Sequence, residues 1–403
     1  MLHSHPQLLP LFQAAAQERK DVPLTTFDAS RIHWAVETGL GPLLFRVTQE
    51  DPQAPTSPLW PLLRGADLTA QVVIAEHLEA MGEILDACQG RVQTITPLKG
   101  ISIAEQYYPL PQLRIMGDID FLIAETDLPA VEGALRALGY SQPFQQSTRN
   151  SVTHHHGNPF VHQQKGVWVE VHWGLFSSLT PFGADKLFQR KHVTAQLQLS
   201  TFQGRNVTRL SDEMQLVYIA SHWARDCTPV AALGATIAML DIIYLLKHRN
   251  HSLDWGKILE WLHGSVATAP LYLLLSYLQH YRLIDVAPEI LAELSRRQQP
   301  LGPPTLAILH ALIDRYMVDG RSHGPILNER TLSILWNTLL LPGPPWRNLL
   351  RVPWHLLPSQ ENMKMGFSRL RSSLGLGHYG SKRDVQNPSS TSRSEGSQEE
   401  PRL

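Results

Sequence analysis

Cysteine is almost missing from this chain: Cys88 and Cys227 are the only two among 403 residues. Each lies in a stretch of helical spacing, which argues against a disulfide framework or a cysteine zinc site and fits a reducing cytoplasm. Long apolar runs are missing too. No stretch approaches the roughly 18 to 20 uninterrupted apolar residues that cross a bilayer, and the opening "MLHSHPQLLPLFQAAAQERK" lacks the basic lead and apolar core of a signal peptide. Neither sign of charge is in excess. Thirty-five Lys and Arg against 36 Asp and Glu leave a formal net charge of −1, so no global field draws the molecule to nucleic acid or anionic lipid, and any polyanion site has to be local. The expectation is a soluble protein of two or three domains with enough chain for a substantial core.

The hydrophobic period changes twice along the chain. Residues 28–48 begin with an N-cap candidate, Asp28, and keep helical spacing until Gly39 and Gly41 punctuate it; "DPQAPTSPLWP" reads as a loop, and from Asp67 the positions Ile74, Leu78, Met81 and Leu85 predict a one-faced helix ending near Gly90. "VQTITPLKG" then alternates like a strand, "ISIAEQYY" returns to a short helix, "IMGDIDFLIA" alternates again, and "DLPAVEGALRALGY" is helical. In "KGVWVEVHWGLF" Val167, Val169, Val171 and Trp173 share one side of a strand, with Trp168, Glu170 and His172 on the other. Helical spacing resumes at "LSDEMQLVYIASHWARD" and runs to about residue 300. A Pro- and Trp-rich stretch, "LLLPGPPWRNLLRVPWHLLP", reads as a segment packed on the surface or docked to a partner, and the end of the chain is too poor in apolar residues to offset the entropy of ordering.

Asp118 and Asp120 stand out inside the apolar strand. Residues two apart on a strand point to one face, roughly 6.6 Å apart, so both carboxylates can reach one small cation while Ile119, Phe121 and Ile123 pack behind them. With Glu170 on a neighbouring strand beside them, three negative charges gather, and each pair at about 7 Å repels by roughly 2 kcal/mol at an effective dielectric of 20. A divalent cation removes that cost. Gly117 lets the backbone approach closely just before the acids. Arg114 either turns to a phosphate or neutralises a carboxylate as a structural ion pair. At "PLKGISIAEQYY" a strand ends at Lys99-Gly100 and a helix begins near Ser102, so Gly100, Ile101 and Ser102 offer free N–H groups to a phosphate beside Lys99; an ordinary turn glycine and an ordinary N-cap serine fit the same letters.

Taken together, "LKG…YYPLPQLRIMGDIDFLI…VEVHW" resembles the signature of an uncharacterised bacterial nucleotidyltransferase family within the polymerase-β-like superfamily, and more loosely the likeness covers about residues 28–290. The wider superfamily usually has Gly-Ser where this chain has Lys99-Gly100. The resemblance implies a polymerase-β-like nucleotidyltransferase domain with a mixed sheet in an α+β architecture; the changes of period and composition place that domain at 91–205, between a helical N-terminal region at 1–90 and a helical domain at 206–300, then an irregular helical extension at 301–378 and a disordered tail at 379–403. It implies Asp118, Asp120 and Glu170 as catalytic metal ligands for Mg²⁺ or Mn²⁺. It puts Lys99, Gly100 and Arg114 on the nucleotide side, to which the reading of the residues adds Ser102, Gly117 and His172, with an NTP as donor and an acceptor that is a small molecule, a protein or RNA.

The histidines of "THHHGNPFVHQQKGVWVEVHW" match no compact structural zinc pattern. His172 shares the Glu170 face and is expected to line the cleft or orient Glu170, and one or two of His154, His155 and His156 to sit at its mouth, although a polar surface hairpin accounts equally for His155 and His162. Asp241, a charge in the apolar run "AMLDIIYLL", needs a partner, and a structural pair or inter-domain contact is expected. The rival reading is a non-catalytic nucleotide-binding or scaffold protein docking a partner through its C-terminal region.

Overall fold

The computed structural model describes residues 8–143, 155–226, 232–298, 301–318, 336 and 339–340, and the side chains of Asp226, of residues 232–235 and of Tyr316 are not among those described. Within these bounds five strands, β1 (Thr96–Pro97), β2 (Asp118–Leu122), β3 (Tyr140–Ser141), β4 (Phe160–His162) and β5 (Val167–His172), form one sheet in the order β1-β2-β5-β4-β3. The central pair β2 and β5 is parallel and the others antiparallel. A parallel pair needs a crossover, and the helix Leu128–Ala137 lies on the chain between the two strands. The sheet is therefore mixed and the fold α+β, as expected.

The helices are α1 (Leu9–Gln17), α2 (Ala29–Glu37), α3 (Gly41–Thr48), α4 (Trp60–Cys88), α5 (Lys99–Tyr107), α6 (Leu128–Ala137), α7 (Pro181–Ala184), α8 (Arg190–Ala195), α9 (Asp212–Asp226), α10 (Ala232–Arg249), α11 (Trp255–Trp261), α12 (Thr268–His280), α13 (Pro288–Arg297) and α14 (Pro303–Leu312). Asp28 caps α2 by accepting from the Arg31 N–H at 2.9 Å. Gly41 lets α3 cross α4 closely, because a Cβ there would come within 2.8 Å of the Ala66 Cβ.

Alternation on the central strands decides the layers. Ile119, Phe121, Val167, Val169 and Val171 are buried in one apolar cluster with Ile74, Met81 and Ile84 of α4 and Val131 and Leu135 of α6. That clothes one face of the sheet and leaves the acidic residues on the other. A second core joins Phe12, Leu44, Trp223, Leu240, Tyr244 and Leu274 from helices near both ends of the described chain. The described residues all fall within one compact unit, Met1–Val352. Among them no helix is long and apolar enough to cross a membrane.

Several boundaries differ from expectation. α4 begins at Trp60, seven residues before Asp67, because Pro61 in the first turn loses no helical hydrogen bond and its fixed φ suits a helix start. β1 shrinks to two residues, and α5 begins at Lys99, not near Ser102. An unanticipated hairpin, β6 (Leu197–Phe202) with β7 (Arg205–Leu210), turns at Gln203-Gly204. Both turn residues have positive φ, 48° and 80°, the geometry that matches the twist of a two-residue hairpin. The hairpin flanks β1 through Thr208 N–H to the Ile95 carbonyl at 3.0 Å and the paired Thr96 and Thr208 hydroxyls at 2.6 Å. Cys227, His154, the Pro- and Trp-rich stretch after Leu340 and the tail at 379–403 lie outside the described residues.

Candidate active site

The register of the parallel pair places Asp120 directly opposite Glu170, with Asp118 opposite Trp168 and Leu122 opposite His172. Directly opposed residues share a face. Asp118, Asp120, Glu170 and His172 therefore stand together on the face that α4 and α6 leave open. His172 Nε2 lies 2.6 Å from Asp120 Oδ1 and 3.6 Å from Glu170 Oε2. Asp120 and His172 are buried, whereas the Glu170 side chain keeps 25% of its surface exposed.

Lys99 completes the cluster. Its Nζ donates to Asp120 Oδ1 at 3.1 Å, and its backbone sits at φ +44°, a left-handed conformation that costs a residue with a Cβ about 1–2 kcal/mol. Such strain persists where the surroundings over-determine it, often at functional sites. Gly100 also makes room for the guanidinium beside it: a Cβ there would meet Arg114 Nη1 at 2.7 Å and Met116 Cβ at 3.1 Å. Arg114 in turn donates to Asp241 from Nε at 3.2 Å and from Nη2 at 3.1 Å, and to the Ile115 carbonyl at 2.9 Å. Tyr108 adds an O–H to Asp241 at 2.7 Å, so the lone charge in the apolar run is held by two partners. Ser102 is buried with its Oγ accepting from Arg209 Nη1 at 3.1 Å and from Gln106 at 2.8 Å. It is not the N-cap, a position held by Leu98.

A cleft of 330 Å³ opens over Asp118 and Asp120, with Lys99 and Gly117 beside them on one wall and Gln215, Tyr218, His222 and Asp241 of α9 and α10 on the other; Glu170 and His172 are not among its lining residues. That volume falls in the range of small-ligand sites. A Cβ on Gly117 would meet nothing within 4 Å, so this glycine leaves room over the acids. Gln215 was not anticipated: it is buried on the cleft wall and its Nε2 has no hydrogen-bond partner, a costly state that a ligand acceptor atom would relieve. The signal available was its position one turn before Tyr218 on the helix carrying His222.

The histidines group otherwise than expected. His155 is buried, its ring 5.4 Å from that of His172 and 4.6 Å from that of His156, and residue 156 bridges to 172 along the edge of β5. They back His172; none of the pair lines the cleft. His162 packs edge-on against Tyr140 at 5.1 Å.

Burial, with Asp120 and Glu170 close by, pushes the Asp118 carboxyl up to about 7, although Lys99 and Arg114 draw it down. Burial acts on Asp120 in the same sense, but Lys99 and the His172 hydrogen bond outweigh it and hold that carboxyl well below the usual range. Burial lowers His172 despite the pull of Asp120. The imidazole is then neutral, donates through Nε2, and leaves a buried Nδ1 without a partner. Donor atoms of Asp120, Glu170 and His172 lie within 4.8 Å of one another, a set that fits one divalent cation once the His172 Nε2 gives up its proton and with it the hydrogen bond to Asp120; Asp118 stands on the same face but outside that trio. Two oxygens and a nitrogen suit Mn²⁺, since Mg²⁺ prefers oxygen alone.

An acid face on a parallel strand pair, an adjoining lysine and a helical wall thus meet around a ligand-sized cleft. The profile of the uncharacterised nucleotidyltransferase family matches residues 28–282, and the chain belongs to that family. Membership carries a nucleotidyl-transfer role and an NTP substrate. No curated protein and no solved structure matches the chain.

Proposed function

We propose that this protein is a cytoplasmic, divalent-cation-dependent enzyme that moves a nucleoside monophosphate from an NTP to an acceptor hydroxyl and releases pyrophosphate. The observation that carries the reading is the pairing of Asp120 with Glu170 across β2 and β5, with Asp118 on the same face and Lys99 bonded to Asp120. Bound Mg²⁺ or Mn²⁺ would supply charge neutralisation and Lewis acidity at the phosphates, held by Asp120, Glu170 and His172, with Asp118 available to a second ion. Lys99 supplies a positive charge to the triphosphate, and Gln215 an unspent donor. Gly117 leaves space above the acids. The acceptor oxygen forms a bond to the α-phosphorus as the α–β bridging P–O bond breaks; pyrophosphate departs with the electron pair, and the hydroxyl proton passes to Glu170, the most exposed of the opposed pair. Before an ion binds, the His172 Nε2–H fixes Asp120; with the ion bound that nitrogen would be a ligand instead. Arg114 acts through Asp241, holding α10 at the cleft, and Ser102 through Arg209, below it. We assign the sheet to the chemistry and α9–α10 to its cap.

The test is transfer of α-labelled phosphate from each NTP, with Mn²⁺ or Mg²⁺, into cell extract. Asp118→Ala, Asp120→Ala and Glu170→Ala are each expected to lower labelling by about 100-fold or more while circular dichroism stays unchanged. Labelling that survives Asp118→Ala and Asp120→Ala overturns catalysis at this site, and calorimetric NTP binding without any transfer leaves a non-catalytic nucleotide-binding protein.

A further inference from the structure

A second cavity, of 560 Å³, lies beside the acid cleft. Leu62, Ala66, Ala70 and Val73 of α4 line one side of it, and Arg114, Ile115 and Met116 form the wall that it shares with the cleft. Two other cavities, of 180 and 450 Å³, share no residue with the cleft. In-line displacement at the α-phosphorus needs the acceptor oxygen and the departing pyrophosphate on opposite sides. Two substrates therefore require a second binding volume next to the acids, and this cavity adjoins the acid cleft, sharing Arg114, Ile115 and Met116 with it.

We propose that this cavity is the acceptor site, and that the acceptor is an uncharged, largely apolar small molecule bearing a hydroxyl. The proposal rests on nucleotidyl transfer as the reaction and names its substrate class. Three observations select that class. Among the described residues Arg114 is the one charged group in the lining, and it is committed to Asp241 and the Ile115 carbonyl, so the described lining offers no free cation for a phosphate or carboxylate on the acceptor. RNA would need a run of such cations. The polar side chains that remain, Thr69 and Gln112, suit orientation of a neutral group, and the volume matches a drug-sized molecule.

Gly65 provides a gentle probe. It lines the cavity within α4, and a Cβ there would meet nothing within 4 Å. Gly65→Phe fills the space while replacing a poor helix former, so the variant is expected to fold. The ligand is 4-(4-fluorophenyl)butan-1-ol, followed by ¹⁹F line broadening on the full chain with a non-hydrolysable ATP analogue and Mn²⁺. Wild type should bind the alcohol, tighter than the matching butanoate by at least about tenfold, and Gly65→Phe should weaken the alcohol at least about tenfold while leaving calorimetric binding of the ATP analogue within twofold. No binding of the alcohol, equal binding of the butanoate, or indifference to Gly65→Phe overturns the proposal. Transfer is scored separately: label from an α-labelled NTP should enter a butanol-extractable product in wild type and fall at least about tenfold in Gly65→Phe, whereas label in RNA or protein that ignores the variant overturns the acceptor assignment. Failure of the nucleotidyl-transfer reading shows instead as no Mn²⁺-dependent binding of the ATP analogue, even where the alcohol binds.

Discussion

Asp118 is the residue on which charge, burial and pH meet. Its carboxyl, up at about 7 through burial and the neighbouring Asp120 and Glu170, holds its proton more tightly in the folded protein than in the unfolded chain. The stability it contributes is complete below the unfolded value near 3.8 and is lost as pH rises through about 7. The buried histidines act oppositely: His155 and His172 are lowered, chiefly by burial, and their contribution is complete above the unfolded value of 6.5 and is lost progressively as pH falls from there through their lowered folded values. A single melting curve against pH mixes the two. The difference between Asp118→Asn and wild type separates them, because the histidines are common to both. In urea unfolding without metal the variant should gain on wild type steadily from pH 4 to pH 8, and Mn²⁺ should close the gap at pH 8 by binding the ionised carboxylates. A gap that ignores pH would show that Asp118 is not crowded by its neighbours.

At the scale of elements, the segment before β2 and helix α10 are tied by one buried ion pair. The Arg114 and Asp241 side chains keep only 14% and 3% of their surface exposed, and removing one partner of such a pair costs about 3–5 kcal/mol because the other charge stays buried alone. Asp241→Ala is expected to destabilise the protein by that amount in urea unfolding, with Tyr108 also losing its acceptor. Replacing both partners by apolar residues, Arg114→Met with Asp241→Leu, should return most of the loss. Loss of binding of the ATP analogue in the refolded double variant would then show that the guanidinium serves the nucleotide as well as α10. A double variant no more stable than Asp241→Ala would mean the pair is not what joins the two elements.

For the whole molecule, the cleft has a strand wall and a helical wall, since Gln215, Tyr218 and His222 face the acids from α9 and Asp241 from α10. A ligand held between them resists opening of both. At 100 times its dissociation constant the ATP analogue with Mn²⁺ should raise the free energy of opening by about 2.7 kcal/mol, visible as slower amide exchange in β2, β5, α9 and α10 together. Protection confined to the strands would remove the helices from the binding site.

Much of the site was legible in the letters. The period-2 spacing of Asp118 and Asp120, and of Glu170 and His172, put each pair on one strand face, and the charge of Asp241 in an apolar helix called for a partner that the fold supplies as Arg114. The family likeness pointed to the same acids. Less legible was anything fixed by contacts between distant segments. Ser102 resembles an N-cap, yet Lys99 in a left-handed conformation starts the helix earlier and turns Ser102 inward toward Arg209 on a hairpin that the alternation alone did not signal. Gln215 carried no mark of its own, because an orphaned amide exists only once the cleft closes.

By itself, the sequence determined the α+β alternation of elements, which face of each central strand is apolar, and which side chains can carry charge to a phosphate, because these follow from local period and residue chemistry. Only the tertiary structure decided the register that sets Asp120 opposite Glu170, the commitment of Arg114 to Asp241, and the apolar cavity beside the acids, because strand pairing, ion pairing and empty volume depend on residues tens to hundreds of positions apart meeting in space.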